Sequence, residues 1–363
     1  MSHPKRLMVV AAGTGGHVMP GLAVAKELAA RGWQVSWLGT QVGMERGLVE
    51  KQGIAFDALD FSGLRGKGLK TALLGGFKLL AAIAKSRGLI GRRQPAVMFT
   101  TGGYVAVPAG LAASTRGLPL VLMNCDAGPL MSNRILQPLA SAVMLGFEGE
   151  AARAAGDKGL VTGNPVRREI VELPAPAARF EGRSGPLTLL VFGGSLGAKV
   201  LNDTLPVAIG QIPAAQRPTV VHQCGVNAVE AVRAAYSAAG VEAEVLPFID
   251  DMAARYAACD LVIARAGATT VSELAAAGVP AILVPLVVKT TSHQRGNAEF
   301  MAAHGAAIHL PQNELTPACL AEQLIGLSRE SLKTMAERAR AIGQPQAAKL
   351  VADAIEHIAK EAA

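Results

Sequence analysis

Apolar residues along this chain come in short continuous runs that break at glycines. Arg6-Leu-Met-Val-Val-Ala-Ala12 is one such run, and it leads into Gly13-Thr-Gly-Gly16. A run this short with no polar alternation predicts a parallel strand covered on both faces. Helical spacing follows from about Pro20 to Ala30, Gly32 stops it, and a second strand, Gln34–Leu38, ends at Gly39. Strand, glycine loop, helix and strand make a βαβ unit. The same grammar restarts at Leu187–Phe192, with Gly193-Gly-Ser-Leu-Gly197 and a helix from about Ala198 to Ile209. Further strand-like runs are Val97–Thr100, Pro119–Met123, Thr219–Gln223, Leu261–Ala264 and Ala281–Pro285.

The pattern therefore predicts an α/β protein of two doubly wound, Rossmann-like domains, each opening with a strand and a glycine loop. The join falls at Gly163-Asn164-Pro165 or in the Pro/Ala/Gly-rich stretch Pro174–Gly185, giving domains over residues 1–164 and 165–343. A last helix, about Gln344 to Ala363, follows a Gly-Gln-Pro break and is expected to return to the first domain.

A length of 363 residues agrees with two domains. Cys125, Cys224, Cys259 and Cys319 lie far apart, so neither a disulfide framework nor a zinc knuckle is expected. The start of the chain lacks the apolar core of a signal peptide, and no run of about 18 apolar residues predicts a membrane span.

Charge changes the picture more. The chain carries +7, but Phe61–Cys125 has no Asp or Glu and nine basic residues: Arg65, Lys67, Lys70, Lys78, Lys85, Arg87, Arg92, Arg93 and Arg116. The remainder is left at −2, so the protein has one basic segment rather than a basic character. Nucleic acid, an anionic membrane or an acidic substrate each fit such a segment. Aromatics are sparse among the basic residues, with only Phe77, Phe99 and Tyr104 between Arg65 and Arg116, which argues against single-stranded nucleic acid. Within the segment, Leu69–Ala84 reads equally as an interfacial amphipathic stretch and as a core helix with a basic outer face.

Glycine loops at strand ends that open helices offer backbone N–H groups to anions. Gly13–Gly16, Gly102-Gly103 and Gly193–Gly197 are three such loops. Two at equivalent places in two domains point to a phosphorylated ligand. A dinucleotide fits poorly: Val18 replaces the third glycine of the fingerprint, and Gly39-Thr40 stands where a ribose-binding acid belongs. A Walker A loop is absent too. His17, at the end of the first loop, has the pKa range of a general base. Arg265-Ala-Gly-Ala-Thr-Thr-Val-Ser-Glu273 has two readings. Thr270-x-x-Glu273 has capping-box spacing; alternatively, the helix end holds a diphosphate and Glu273 a ribose. No Asp-x-Asp is present to fix a divalent cation, and Asp250-Asp251 are adjacent, so no metal or other cofactor is expected.

In order along the chain stand Gly13-Thr-Gly-Gly-His17, Ser62-Gly-Leu-Arg-Gly-Lys67, Gly102-Gly-Tyr104, Gly163-Asn-Pro-Val-Arg167, Gly193-Gly-Ser195, Phe248-Ile-Asp-Asp-Met252, Arg265–Glu273 and His293-Gln-x-x-Asn-Ala298. Over essentially its full length the chain resembles the MurG family, bacterial enzymes that convert lipid I to lipid II in peptidoglycan synthesis. The resemblance implies a GT-B fold with the active site in the interdomain cleft. It implies an inverting transfer of N-acetylglucosamine (GlcNAc) from UDP-GlcNAc to the 4-OH of MurNAc in undecaprenyl-diphosphoryl-MurNAc-pentapeptide.

It further implies that the C-terminal half holds the donor. Backbone groups of Ile249 would read the uracil and Glu273 the ribose, with Arg167, Ser195, Ala268 and Thr270 around the diphosphate and His293 and Gln294 on the sugar. In the N-terminal half, Thr14, Gly15 and Gly16 would reach the donor, while Thr14, His17, Gly102, Gly103, Tyr104 and Asn124 would face the acceptor. His17 is the expected base, with Asp126 the other catalytic candidate. Many family members carry His-Glu-Gln-Asn where this chain reads Met123-Asn124-Cys125-Asp126, so Asn124 replaces a glutamate. The resemblance also implies a peripheral enzyme on the cytoplasmic face of the inner membrane, held to anionic lipid by residues 64–93, with cell-wall assembly proteins as partners. A related glycolipid glycosyltransferase and a non-enzymatic membrane-binding protein are the alternatives.

Overall fold

A computed structural model describes residues 5–13, 15–61, 69–194, 196–286 and 293–362, with side chains of the helix at Leu69 described from residue 75. Thr14, Ser195 and Ser62–Lys67 lie outside the described residues. The chain divides into two compact units, Met1–Val166 with Pro345–Ala363, and Arg167–Gln344.

The first unit is built on seven strands: β1 (Arg6–Ala11), β2 (Gln34–Thr40), β3 (Ala55–Leu59), β4 (Val97–Gly102), β5 (Leu120–Asn124), β6 (Ala142–Leu145) and β7 (Gly159–Val161). They pair in the order β3-β2-β1-β4-β5-β6-β7, with Val9 of β1 opposite Trp37 of β2 and Phe99 of β4, all parallel. Leu7 to Ala11 are all buried, because helices cover both faces of the sheet and leave no polar side.

The second unit has six strands: β8 (Thr188–Phe192), β9 (Thr219–Gln223), β10 (Ala243–Leu246), β11 (Leu261–Ala264), β12 (Ala281–Leu283) and β13 (Ala307–His309), in the order β10-β9-β8-β11-β12-β13. In both sheets the first strand sits inside, and the chain winds outward from it on one side and then on the other. The strand order therefore reverses between β1 and β4, and between β8 and β11. Crevices open at the carboxyl ends of strands at such points, and ligands bind there.

The last helix, Ala347–Glu361, belongs to the first unit and packs on the helix Gly15–Ala30. Ala347, Val351, Ala352 and Ile355 form its buried stripe. Arg31 binds Asp353 at 2.7 Å and Glu356 at 3.0 Å, and the Trp33 indole N–H donates to Glu356 at 2.9 Å.

The helix Leu69–Arg93 buries part of its surface and exposes two large apolar side chains on the rest. Ala82, Ser86, Leu89 and Ile90 are buried, while Phe77 and Leu80 are 71% and 64% exposed. Arg92 and Arg93 both pair with Asp57 of β3, so a carboxylate from outside the basic segment offsets part of its charge. Among the described residues no helix is long and apolar enough to cross a membrane.

Candidate active site

At the first crevice, the helix Gly15–Ala30 starts inside the glycine loop, earlier than the Pro20 expected from sequence, and so places His17 in its first turn. His17 Nδ1 lies 2.8 Å from the carbonyl oxygen of Thr101 in β4, and Thr101 Oγ1 donates to the His17 carbonyl at 2.6 Å. A carbonyl can only accept, so Nδ1 carries the proton and Nε2 keeps its lone pair. Burial lowers the His17 pKa from its usual value, against opposing effects of the Thr101 carbonyl and Asp126. A neutral imidazole with a free Nε2 can act as a base at neutral pH.

Two glycines at the end of β4 permit this approach. Gly102 and Gly103 have φ of +107° and +86°; a Cβ on Gly102 would come within 3.1 Å of the His17 ring, and one on Gly103 within 2.4 Å of the Ala12 carbonyl. Beside His17 lies a cavity of about 380 Å³ walled by Phe61, Leu79, Tyr104, Leu130 and Ile135.

Asn124, the last residue of β5, has its side-chain amide held within its own loop. It is 2% exposed, and both ends of its amide are engaged. Its Nδ2 donates to the carbonyls of Asp126 (2.7 Å) and Gly128 (3.0 Å), and its Oδ1 accepts from Leu130 N (2.8 Å) and Asn133 Nδ2 (3.3 Å). Asn164, from the Gly163-Asn-Pro motif, donates to the Cys125 carbonyl at 2.8 Å. These two asparagines shape the loop that carries Asp126, which is near enough to His17 to raise its pKa.

At the second crevice, the helix Ala268–Ala277 has Gly267 as its N-cap. Thr270 is thus the third helical residue, and the capping-box reading fails: Glu273 sits a turn too deep to reach the cap. Its carboxylate, 4% exposed, instead meets Arg167 and Tyr256. Arg167 Nε and Nη2 donate to Oε1 at 3.1 and 2.9 Å, and the Tyr256 hydroxyl donates to Oε2 at 3.3 Å. Burial lifts the Glu273 carboxyl above its usual range, while Arg167 and Tyr256 pull it back.

Ala268 is buried at the helix start, and Thr270 is half-buried. Ile249 is buried in the segment after β10, next to an exposed Phe248. His293 and Gln294 open the helix His293–Ala303, and Gln294 Oε1 accepts from Leu286 N at 2.8 Å. Asn297 is fully buried and donates to the Ala266 carbonyl at 3.0 Å, tying this helix to the loop before Ala268. Among the described residues, no three His, Cys, Asp or Glu side chains cluster to hold a metal ion.

Sequence reasoning missed Thr101, Tyr256 and Glu45. Glu45 is completely buried beneath the first glycine loop. No local motif marks any of the three, since each acts through a partner distant in the chain.

Residues 7–145 match the glycosyltransferase family 28 N-terminal domain, and residues 188–358 match the C-terminal domain of the same family. The chain belongs to glycosyltransferase family 28. Two curated family members are UDP-N-acetylglucosamine--N-acetylmuramyl-(pentapeptide) pyrophosphoryl-undecaprenol N-acetylglucosamine transferases. That of Chromobacterium violaceum is 58% identical over 359 residues, and that of Janthinobacterium sp. (strain Marseille) 56% over 356; each alignment covers 98% of this chain and 99% of the relative. The crystal structure of MurG from Acinetobacter baumannii is 38% identical with a TM-score of 0.81, covering 98% of this chain and all of that one. The two doubly wound units are those of the GT-B fold, and the chain is a glycosyltransferase of the MurG type.

Proposed function

We propose that this protein transfers GlcNAc from UDP-GlcNAc to the 4-OH of MurNAc in undecaprenyl-diphosphoryl-MurNAc-pentapeptide, with inversion, converting lipid I to lipid II. The observation that carries this reading is the 56–58% identity, spanning 98% of the chain, to relatives named for that transfer.

In the proposed mechanism, His17 Nε2 takes the proton of the MurNAc 4-OH as its oxygen bonds C1 of GlcNAc and the C1–O bond to UDP breaks. Asp126 steadies the imidazolium that forms. Gly15, Gly16 and Thr14 line the reacting groups, with Gly102, Gly103 and Tyr104 on the acceptor side. Glu273 receives the ribose hydroxyls, Ile249 the uracil, and His293 and Gln294 the sugar. Arg167 and the positive helix end at Ala268 offset the charge of the departing diphosphate, and the hydroxyls of Ser195 and Thr270 donate hydrogen bonds to it. With that positive charge available and no Asp-x-Asp in the sequence, we assign no metal to the chemical step.

The protein works as a peripheral enzyme on the cytoplasmic face of the inner membrane. Phe77 and Leu80 insert among lipids while Lys78, Lys85 and Arg87 meet anionic headgroups, a placement supported by their shared exposure on one helix. The deciding experiment is transfer of labelled GlcNAc from UDP-GlcNAc to a lipid I analogue, with EDTA present. Product is expected; none from folded protein with a validated acceptor overturns the reading.

A further inference from the structure

Glu45 is 0% exposed, and no step above uses it. It opens the short helix Glu45–Glu50 that follows β2, and its side chain turns back over the carboxyl ends of β1 and β2. Oε1 accepts from Thr40 N at 2.8 Å and from Thr40 Oγ1 at 2.5 Å. Oε2 accepts from Gly13 N at 3.5 Å, the first N–H of the glycine loop that leads to His17.

Room for this carboxylate is made by two glycines. A Cβ on Gly39 would come within 2.9 Å of Glu45 Cγ, and a Cβ on Gly43 within 2.0 and 2.2 Å of its two oxygens. These partners are backbone N–H and hydroxyl dipoles. Burying a carboxylate on them costs several kcal/mol that an apolar side chain would avoid. The same loop is the anion-facing element of the first unit, so a negative charge beneath it opposes any diphosphate above. Such a group stabilises neither the core nor the ligand directly.

The geometry points to Glu45 as the positioning residue of the first glycine loop: its carboxylate draws the Gly13 N–H inward and fixes where the helix carrying His17 begins. It acts through Gly13 and does not touch the reacting groups. This inference rests on the transferase reading above.

Two variants separate the carboxylate's chemistry from its shape. Glu45→Gln keeps the volume but sets an amide N–H against the Gly13 N–H, because Thr40 claims the remaining oxygen through two bonds. Gly43→Ala keeps the charge and displaces the carboxylate. Both are expected to retain the wild-type melting temperature to within a few degrees and unchanged affinity for uridine, whose proposed partners Ile249 and Glu273 both lie in the second unit. For transfer, kcat/KM toward the lipid acceptor should fall roughly 10- to 100-fold, the scale of a misplaced reacting group. Wild-type kinetics in either folded variant overturn the inference, as does a loss that tracks uridine affinity or the folded fraction. An inactive wild-type protein would instead count against the transferase reading itself.

Discussion

Arg167 sets both Nε and Nη2 on a single oxygen of Glu273, at 3.1 and 2.9 Å, and leaves the other oxygen to the Tyr256 hydroxyl. The carboxylate proposed for the ribose is therefore oriented before nucleotide arrives. Glu273→Gln should raise the KM for UDP-GlcNAc about tenfold with little change in kcat, as expected for one charged hydrogen bond. Arg167→Ala should additionally destabilise the second unit by about 3 kcal/mol, because it strands a buried charge. An unaltered donor KM in Glu273→Gln would reduce the pair to scaffolding.

His17 is neutral at pH 7 because burial lowers its pKa from the ordinary 6.5. A base is active when unprotonated, so activity should persist on acidification and fall only below pH 6.5. The acid limb of kcat/KM against pH reads this directly. His17→Ala should lose about 10²–10⁴-fold in kcat and flatten that limb; a retained limb would pass the role to Asp126.

Asn124→Ala removes an amide that organises four groups between Asp126 and Asn133. Buried donors and acceptors left unpaired should cost about 2 kcal/mol of stability, seen as a lower urea midpoint. The loss in kcat should exceed any change in acceptor KM, because the loop presents Asp126. A rise in acceptor KM alone would restore direct acceptor contact by Asn124.

His222 is fully buried between the Tyr236 hydroxyl, 3.0 Å from Nδ1, and Asn202 Oδ1, 3.1 Å from Nε2. Burial lowers its pKa to about 4 from 6.5. The unfolded chain takes up this proton between those values and the folded chain does not. Stability is thus complete above pH 6.5 and is lost as pH falls toward 4, by about 3 kcal/mol for this group. Urea melts across that window should be flatter in His222→Gln.

Phe77→Ser with Leu80→Ser should weaken flotation with anionic liposomes and leave transfer to a short-chain, soluble acceptor intact. High salt should release the wild-type protein only in part, since screening weakens the contacts of Lys78, Lys85 and Arg87 but not apolar insertion. Complete release by salt would mean that Phe77 and Leu80 stay in water.

Most buried central strands were legible because they read as unbroken apolar runs, as in Leu7–Ala11 and Leu261–Ala264, while the short interior strand Ala142–Leu145 was not. Nor were the edge strands. Gly159–Val161 has no buried residue, and Ala307–His309 has only Ala307 buried, so neither carries a periodic signal. At the sites, glycines and His17 announced themselves through local motifs. Glu273 was ambiguous because its spacing from Thr270 mimics a cap; only the true helix start at Ala268 resolves it. Glu45 and Tyr256 carry no local mark, since their meaning lies in Gly13 and in Glu273.

The first unit is made of two separated stretches of chain, and the second lies wholly between them. Synthesis runs from the amino end, so the second unit has all its residues while the first still lacks its closing helix. Until Asp353 and Glu356 emerge, Arg31 lacks two of its carboxylate partners and the Trp33 indole its acceptor. The unit begun first is the one completed last, and a nascent chain of this protein spends most of its translation with that face of the helix Gly15–Ala30 open to chaperones.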